Sequence, residues 1–363
     1  MTLAPVGVRG FGFLELWVGN ARQAAAFFSS ALDFSVVASA GPKTGLPDRA
    51  SYVLTQGAST LVVTGATRAD SPVAEFVHRH GDGVRDIALV VDHPHEFRDA
   101  ALERGARPEP AAPLPPDGTG RETLSAFGDV IHTLIPGSDL ADVVPGGFEP
   151  VAGVDHPGPR VGLTGLDHCA VSINGGTREP WARYYKHNLG FEQVDPDEHI
   201  EVDGSAFSMS TVRVPDETDA LVLAEPVPSP RKSQIADYLE HFGGPGVHHI
   251  AFSTDNIAEA VSSLRQRGVR TLPVPASYYV EAARRLGSLD VPWQELASLG
   301  ILVDVDDRGH LLQVFTEPLG DRPTTYLEII QRAGTTGFGT QNVRYLYSAV
   351  ARDQQLTGVP SAP

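Results

Sequence analysis

The chain has 363 residues, of which 41% are hydrophobic and 20% are charged, and its formal net charge is −17. This composition is typical of a folded globular protein with room for two domains, and no apolar run approaches the ~20 residues that a membrane helix needs. The acidic balance, without any cluster of Lys and Arg, excludes nucleic acid and anionic membranes as expected partners. A single cysteine, Cys169, and the lack of a signal-peptide pattern predict a cytoplasmic protein.

One unit recurs four times along the chain. Residues 12–37 and residues 165–194 each predict an alternating strand, a polar turn, an amphipathic helix rich in aromatic residues, and a second strand. Residues 80–108 and residues 242–273 match each other more closely, since both place a G-x-G-V strand before a helix that ends at an R-G-x-R sequence. Four βαβββ-type modules in two pairs predict a duplicated α+β fold whose curved sheets form two barrel-like halves.

The Pro/Gly-rich segment 144–163 predicts the boundary between the halves, with residues 1–150 on one side and residues 151–363 on the other. The duplication provides an internal control for function. Glu15 and Asp86 of the first half stand where the second half has His168 and His249. The N-terminal half is therefore predicted to be structural and free of metal, and the C-terminal half to be catalytic.

Three residues of the second half form a candidate metal site. His168 and His249 lie in the middle of apolar strands in paired modules, and Glu328 lies in an apolar strand where a lone carboxylate is costly. Alone, each is more commonly a core histidine or an edge glutamate. Together they match the two imidazoles and one carboxylate that bind Fe(II) in non-haem oxygenases and leave positions free for a chelating substrate and O₂. Zinc accepts the same ligands.

Two histidines are adjacent in this pattern, His248 and His249. Neighbouring side chains on a strand point to opposite faces, so both cannot serve one site unless the strand is bulged. His249 matches Asp86 and shares its face with the inward-pointing residues, which makes it the predicted ligand. His248 either flanks the site or points elsewhere.

Several stretches resemble the 4-hydroxyphenylpyruvate dioxygenase family, within the vicinal-oxygen-chelate superfamily. They are GLDHCAV (165–171), KSQIADYLEHFGGPGVHHIAF (232–252), TTYLEIIQRAG (324–334) and GFGTQN (337–342). The resemblance implies a duplicated vicinal-oxygen-chelate fold with a C-terminal lid helix over residues 337–355. It also implies that the three candidate ligands hold Fe(II), that an arylpyruvate (a 2-oxo acid) and O₂ are the substrates, and that the protein is a homo-oligomer.

The resemblance also carries over a set of substrate-binding positions. The matching residues are Ser210, Ala224, Gln234, His248, Gln313, Phe315, Tyr326, Phe338, Asn342, Val343 and Tyr347. No separate acid–base residue is implied, because the chemistry is centred on the metal.

Departures from the family pattern bear on the product. Ala224 replaces an Asn of the homogentisate-forming enzymes, Val343 replaces a Phe, and Tyr347 replaces another Phe. All three resemble the sister activity, which converts 4-hydroxyphenylpyruvate to 4-hydroxymandelate and CO₂, and this is the predicted reaction. His248 and Tyr326 stand where both activities usually have Gln and Phe.

Other functions stay open at this level. Formation of homogentisate is the first alternative, and action on another 2-oxo acid is the second. Ring cleavage of catechols by an extradiol dioxygenase would use a similar metal site, and a binding module with a vestigial site would use none.

Overall fold

The computed structural model describes residues 7–109, 121–137, 139, 148–151, 158–194, 198–287, 291–339 and 342. Val343, Tyr347 and most of the predicted lid helix lie outside these residues, as does much of the predicted linker. No helix in the described part of the chain is long and apolar enough to cross a membrane.

Each half alternates strands with short helices. The N-terminal half contains β1 (Val8–Val18), α1 (Ala21–Leu32), β2 (Ser35–Ala40), a short 3₁₀ helix (Pro42–Thr44), β3 (Arg49–Gln56), β4 (Ser59–Ala66), α2 (Pro72–His80), β5 (Gly83–Val91), α3 (Pro94–Glu103), β6 (Glu122–Ser125), β7 (Ile131–Ile135) and β8 (Glu149–Pro150). The C-terminal half contains β9 (Leu163–Ser172), α4 (Arg178–Tyr184), a π-helical turn (Tyr185–Leu189), β10 (Glu192–Gln193), β11 (Glu198–Val202), β12 (Ser205–Arg213), β13 (Ala220–Pro226), α5 (Gln234–Phe242), β14 (Gly246–Thr254), α6 (Ile257–Gln266), α7 (Ala276–Leu286), α8 (Trp293–Leu299), β15 (Leu302–Val305), β16 (His310–Phe315) and β17 (Tyr326–Ala333).

Local sequence explains where several helices begin. The side chains of Asn20, Ser233 and Asn256 each accept a hydrogen bond from a backbone N–H in the first turn of α1, α5 and α6. These caps satisfy donors that a helix start otherwise leaves unpaired. Gly243 ends α5 in the left-handed conformation, where φ is 77°. The chain thus turns directly from α5 into β14, which carries the adjacent histidines.

The central strands of the two sheets have the same topology, whereas the sheets have eight and nine strands and differ at their edges. The first has the order β6-β7-β5-β1-β4-β3-β2-β8, and the second has the order β10-β12-β13-β9-β14-β17-β16-β15, with β11 paired to β12. In each half the first long strand runs parallel to one neighbour and antiparallel to the other, as β1 does to β4 and β5, and as β9 does to β13 and β14. Strands β5 and β14 are the counterparts that pair in parallel with β7 and β17.

The halves share one hydrophobic core. Alternate residues of the central strands, such as Leu14, Val171 and Ile250, pack against the helices in this core. The core crosses between the halves, where the rings of Phe34 and Phe252 meet edge to face with centroids 5.6 Å apart. Because helices cover this face, the opposite, concave face of each sheet is the one available to form a site.

Candidate metal centre and substrate pocket

Three neighbouring strands of the second sheet carry the predicted ligands. Strand β14 lies between β9 and β17, and its Ala251 is in register with both His168 and Glu328. His249 lies two residues away on the same strand. The Nε2 atoms of both histidines lie 3.3 Å from Oε2 of Glu328, and the three ligand atoms all lie within 4.8 Å of one another. The structure therefore brings the three predicted ligands together on the concave face.

The donor set suits a divalent transition-metal ion. Ligand atoms at right angles around a metal, with bonds of about 2.1 Å, are separated by ~3.0 Å, close to the 3.3 Å observed here. Two imidazoles and one carboxylate on one side of the ion leave the opposite side open. Within the described ranges, this is the only group of three or more His, Cys, Asp or Glu residues with such spacing.

An anionic partner holds the first histidine. His168 Nδ1 donates to Oδ1 of Asp167 at 2.7 Å, and Arg332 donates two hydrogen bonds of 2.8 Å to the same carboxylate. Such a carboxylate fixes the ring orientation and tautomer of a ligand histidine. Burial lowers the pKa of His168, but the negative charges of Glu328 and Asp167 outweigh it and raise this pKa to about 9. A metal ion bound at Nε2 must therefore displace a proton.

A β-bulge explains the adjacent histidines. The pairing of β9 with β14 shifts register between Val247 and His249, so His248 has no partner on β9. The bulge lets both imidazoles approach the concave face, and their Nδ1 atoms lie 3.0 Å apart. The ring of His248 stacks on Tyr326, with centroids 5.1 Å apart and an interplanar angle of 20°. Burial lowers the pKa of His248 to about 3, so this side chain is neutral.

Aromatic rings flank the two ligand histidines. The ring of Phe315, in β16, lies 5.3 Å from that of His249, and the ring of Phe338 lies 5.0 Å from that of His168. The guanidinium of Arg332 lies 5.0 Å from the centroid of the Phe338 ring, which fixes the chain there. Gly339 follows with φ of 73°, and a Cβ at this position would overlap the amide of Gln313. Any other residue would strain the backbone at this φ and displace the Gln313 amide.

Two predicted amide residues lie near this segment, Gln313 against Gly339 and Asn342 three residues further along the chain. Gln313 is 2% exposed, and its Oε1 has no hydrogen-bond partner among the described residues. Asn342 accepts a hydrogen bond of 2.7 Å from the Tyr278 hydroxyl, while its Nδ2 lacks a partner within the same part of the chain. Unpaired buried amide groups are costly, and they are typical of a site that receives a polar ligand. Gln234 lies half-buried at the start of α5, beside Ile235 of the concave-face cluster.

The placement of Ser210 corrects one predicted pocket residue. Its hydroxyl accepts a hydrogen bond from Arg178 of α4, on the helix-covered side of the sheet. Met209 instead packs on the concave face with Ala170, Val222 and Ala224, and it is in register with Ala224. Adjacent residues of a strand point to opposite faces, so a displacement by one residue reverses the assignment. The prediction of Ser210 as a pocket residue is therefore wrong.

Sequence reasoning missed the pocket residues beside Ala224. Met209 and Thr211 of β12 share the concave face by strand alternation, and Ser172 of β9 is in register with Ala224. The alternation of side chains along β9 could have predicted them, since His168, Ala170 and Ser172 alternate with core residues.

The corresponding positions of the first sheet carry different chemistry. Asp86 and Thr133 of β7 occupy the places that His249 and Glu328 have in the second sheet. Glu15 is in register with Asp86, as Ala170 is with His249, so Glu15 matches Ala170, and Phe13 takes the place of His168. The predicted match of Glu15 with His168 is therefore wrong by two residues. The Thr64 hydroxyl donates to Glu15 at 2.5 Å, and the Thr133 backbone N–H donates to Asp86 at 2.9 Å. This half therefore has a hydrogen-bonded polar centre with no imidazole at the matching positions.

The comparisons with known proteins agree with this geometry. Residues 165–286 match the model of the Glyoxalase/Bleomycin resistance protein/Dioxygenase superfamily. A 4-hydroxyphenylpyruvate dioxygenase from Yarrowia lipolytica is 36% identical over 96% of this chain and 93% of its own length. Another from Dictyostelium discoideum is 35% identical over 97% of this chain and 100% of its own. A solved triple mutant of 4-hydroxymandelate synthase from Streptomyces coelicolor is 35% identical, with a TM-score of 0.79, and covers 96% of this chain and 99% of its own.

The duplicated curled sheets and the superfamily match define the vicinal-oxygen-chelate fold, and the relatives place the chain among metal-dependent dioxygenases with this fold. Similarity to the relatives extends over nearly the whole chain. The chain belongs to the 4-hydroxyphenylpyruvate dioxygenase family. The predicted fold class and enzyme class are thereby confirmed.

Proposed function

We propose that this chain is an Fe(II)-dependent dioxygenase that decarboxylates 4-hydroxyphenylpyruvate with O₂ and hydroxylates the benzylic carbon, giving 4-hydroxymandelate and CO₂. The main support is the facial grouping of His168, His249 and Glu328 beneath Phe315 and Phe338. Homogentisate formation is the second candidate, because the curated relatives named above are 4-hydroxyphenylpyruvate dioxygenases. Cytoplasmic location and homo-oligomeric assembly stay predictions.

The division of work between metal and protein follows from this site. His168, His249 and Glu328 would hold an Fe(II) ion, which would supply open positions for chelation by the 2-oxo acid and for O₂. The protein orients the substrate ring between aromatic side chains and excludes water from the pocket. The amides of Gln313 and Asn342 are the buried groups suited to hydrogen-bond the substrate or the segment that covers it. No side chain is needed as a separate general acid or base.

The wall around Ala224 is the basis for the proposed product. The methyl group of Ala224 lies on the concave face beside Met209, where homogentisate-forming enzymes are expected to have an amide. A small apolar side chain leaves the substrate ring free to shift, and shifts of about 1 Å change reaction rates by orders of magnitude. Val343 and Tyr347 belong to the same argument but lie outside the described residues.

Product analysis tests the proposal directly. The purified protein, loaded anaerobically with Fe(II), is exposed to air with 4-hydroxyphenylpyruvate and ascorbate, and the products are separated by chiral chromatography. A 4-hydroxymandelate peak supports the proposal. Homogentisate alone would replace it with the second candidate. Iron binding without turnover would direct attention to other 2-oxo acids, and catechol cleavage would assign the extradiol reaction instead.

Pocket substitutions test why one product forms. Ala224→Asn combined with Val343→Phe should raise the share of homogentisate at least about tenfold, since the added groups restrict the ring and tenfold corresponds to only ~1.4 kcal/mol. The exposed Ala297→Asn serves as the matched control and should leave the product ratio unchanged. A correctly folded double variant with the wild-type product ratio would contradict this explanation.

A further inference from the structure

We infer that His248 is a positioning residue for the metal ligand His249, whose Nδ1–H it holds by accepting a hydrogen bond at its own Nδ1. This inference rests on the proposed metal site. It assigns a role to a residue that family resemblance leaves unexplained, and it also accounts for the neighbouring Tyr326.

The first argument comes from the orientation of the two ligand histidine rings. Both His168 and His249 direct Nε2 toward Oε2 of Glu328 at 3.3 Å, so both direct Nδ1 away from the metal position. For His168 the Nδ1 partner is Asp167, at 2.7 Å. For His249 it is His248, at 3.0 Å. The two ligands thus have outer partners of different charge, one anionic and one neutral.

The second argument concerns which nitrogen of each imidazole bears the proton. A neutral imidazole has one N–H donor and one acceptor nitrogen. If His249 binds a metal through Nε2, its proton must lie on Nδ1, which then donates. Nδ1 of His248 must accept, and its proton must lie on Nε2. With its own proton on Nε2, His248 therefore stabilises the tautomer of His249 that can bind a metal.

Contacts around His248 fix its ring beside His249. The β-bulge turns its ring toward His249, and Tyr326 stacks on that ring from β17. The ring of Tyr238, from α5, also contacts it, with centroids 5.5 Å apart. His248 and Tyr326 are the two positions at which the chain departs from both sister activities, and they contact each other. These departures form one structural unit beside the metal ligand.

Metal affinity provides the first test. Apoprotein is titrated anaerobically with Co(II), a spectroscopic substitute for Fe(II), and binding is followed by visible absorption. His248→Leu should weaken Co(II) binding about 10- to 100-fold, the usual effect of removing an outer partner of a metal ligand. His248→Gln should retain most of the affinity, because its amide oxygen can still accept from His249. The exposed His187→Leu is the control and should bind as the wild type does.

Stacking and proton exchange provide independent readouts. Tyr326→Phe keeps the ring and should preserve affinity, whereas Tyr326→Leu should lower it in the same direction as His248→Leu. In proton NMR spectra of the Co(II) form, each ligand histidine gives a shifted, exchangeable N–H signal. In the His248→Leu variant one of these signals should exchange much faster with water, while the signal of His168 is unchanged. Thermal unfolding of each apoprotein checks that the variants are folded.

The outcomes separate this inference from the proposed function. Wild-type protein that fails to bind one Co(II) per chain overturns both. Wild-type binding with unchanged affinity and N–H exchange in His248→Leu overturns only the role of His248. Equal weakening in the Leu and Gln variants also overturns it, because the acceptor atom would then have no importance.

Discussion

At the scale of single residues, two chemically identical ligands differ in their surroundings. His168 donates to Asp167, which two N–H groups of Arg332 hold in place, whereas His249 faces the neutral His248. The same arrangement affects Glu328. Burial raises the pKa of this carboxyl, but the neighbouring histidines outweigh it and lower the pKa to about 2. Glu328 is therefore an anion at neutral pH, as a metal ligand must be.

Removal of that anion should abolish the metal centre. Glu328→Gln keeps the size of the side chain but loses its charge, and we expect metal affinity to fall by more than about 100-fold, beyond the usual effect of an outer partner. Anaerobic equilibrium dialysis with Fe(II) measures this. The matched control, Glu15→Gln in the other half, should keep one iron per chain. Metal retained by the Glu328 variant would show that the ligand set is wrong.

The candidate site was partly predictable from sequence because its residues are unusual where they stand. Imidazoles in the middle of apolar strands and a carboxylate in an apolar strand are conspicuous, and the first half provided a comparison without them. Ser210 was misassigned because a pocket position on a strand must be located to the residue. The approach of His248 to His249 was not predictable, because the bulge that permits it leaves no hydrophobic pattern of its own.

At the scale of elements, the two sheets carry the same irregularity. Strand β5 skips Arg85 in its pairing with β1, since Glu15 is in register with Asp86 and Leu16 with Val84. This is the position at which β14 skips His248. The bulge places the following residue, Asp86 or His249, toward the polar centre of its sheet. Burial is the main cause that raises the pKa of Asp86, to about 7.

This raised pKa predicts a pH-dependent effect of Asp86→Asn. Between an unfolded pKa of 3.8 and a folded pKa of about 7, the native state binds a proton that the unfolded chain releases. The contribution of Asp86 to stability is therefore complete below the unfolded pKa and is lost as pH rises toward 7, by about 1.4 kcal/mol per pH unit. Asn does not titrate, so the free energy of unfolding of the variant relative to wild type should rise by about 2.5 kcal/mol from pH 5 to pH 7.5.

Urea unfolding at both pH values measures the effect of Asp86→Asn. The exposed Asp307→Asn should show no comparable change between the two pH values. A constant difference between the Asp86 variant and wild type would mean that Asp86 titrates normally in the folded protein.

At the scale of the whole molecule, polar contacts connect the two halves across their shared core. The Tyr185 hydroxyl donates to Nε2 of His132 at 2.9 Å, and Nδ1 of that histidine donates to the Ile87 carbonyl at 2.8 Å. Burial lowers the pKa of His132 to about 4, which keeps it neutral as both hydrogen bonds require. Arg267 of the second half binds Asp33 of the first at 3.0 Å. The predicted boundary at residues 150 and 151 separates the sheets in sequence, and it stays a prediction.

The contact between halves should contribute measurably to stability. Tyr185→Phe leaves the buried Nε2 of His132 without its donor, and an unpaired buried polar group costs about 1 to 3 kcal/mol. Urea unfolding of the full chain at pH 7.5 measures the loss. Tyr279→Phe is the control, since the Tyr279 hydroxyl is buried and has no hydrogen-bond partner among the described residues. Equal effects of the two substitutions would contradict the role assigned to the His132 contact.

The shared bulge also bears on how one half became catalytic after an ancestral duplication. A bulge is an extra residue in the backbone, and deleting it would turn every later side chain of the strand to the other face. Replacing the side chain at the bulge leaves the strand as it was. Both copies could therefore keep the inherited backbone, while single substitutions gave one copy Arg85 and the other His248. At the bulge itself, the two halves therefore differ in their side chains and share the backbone irregularity.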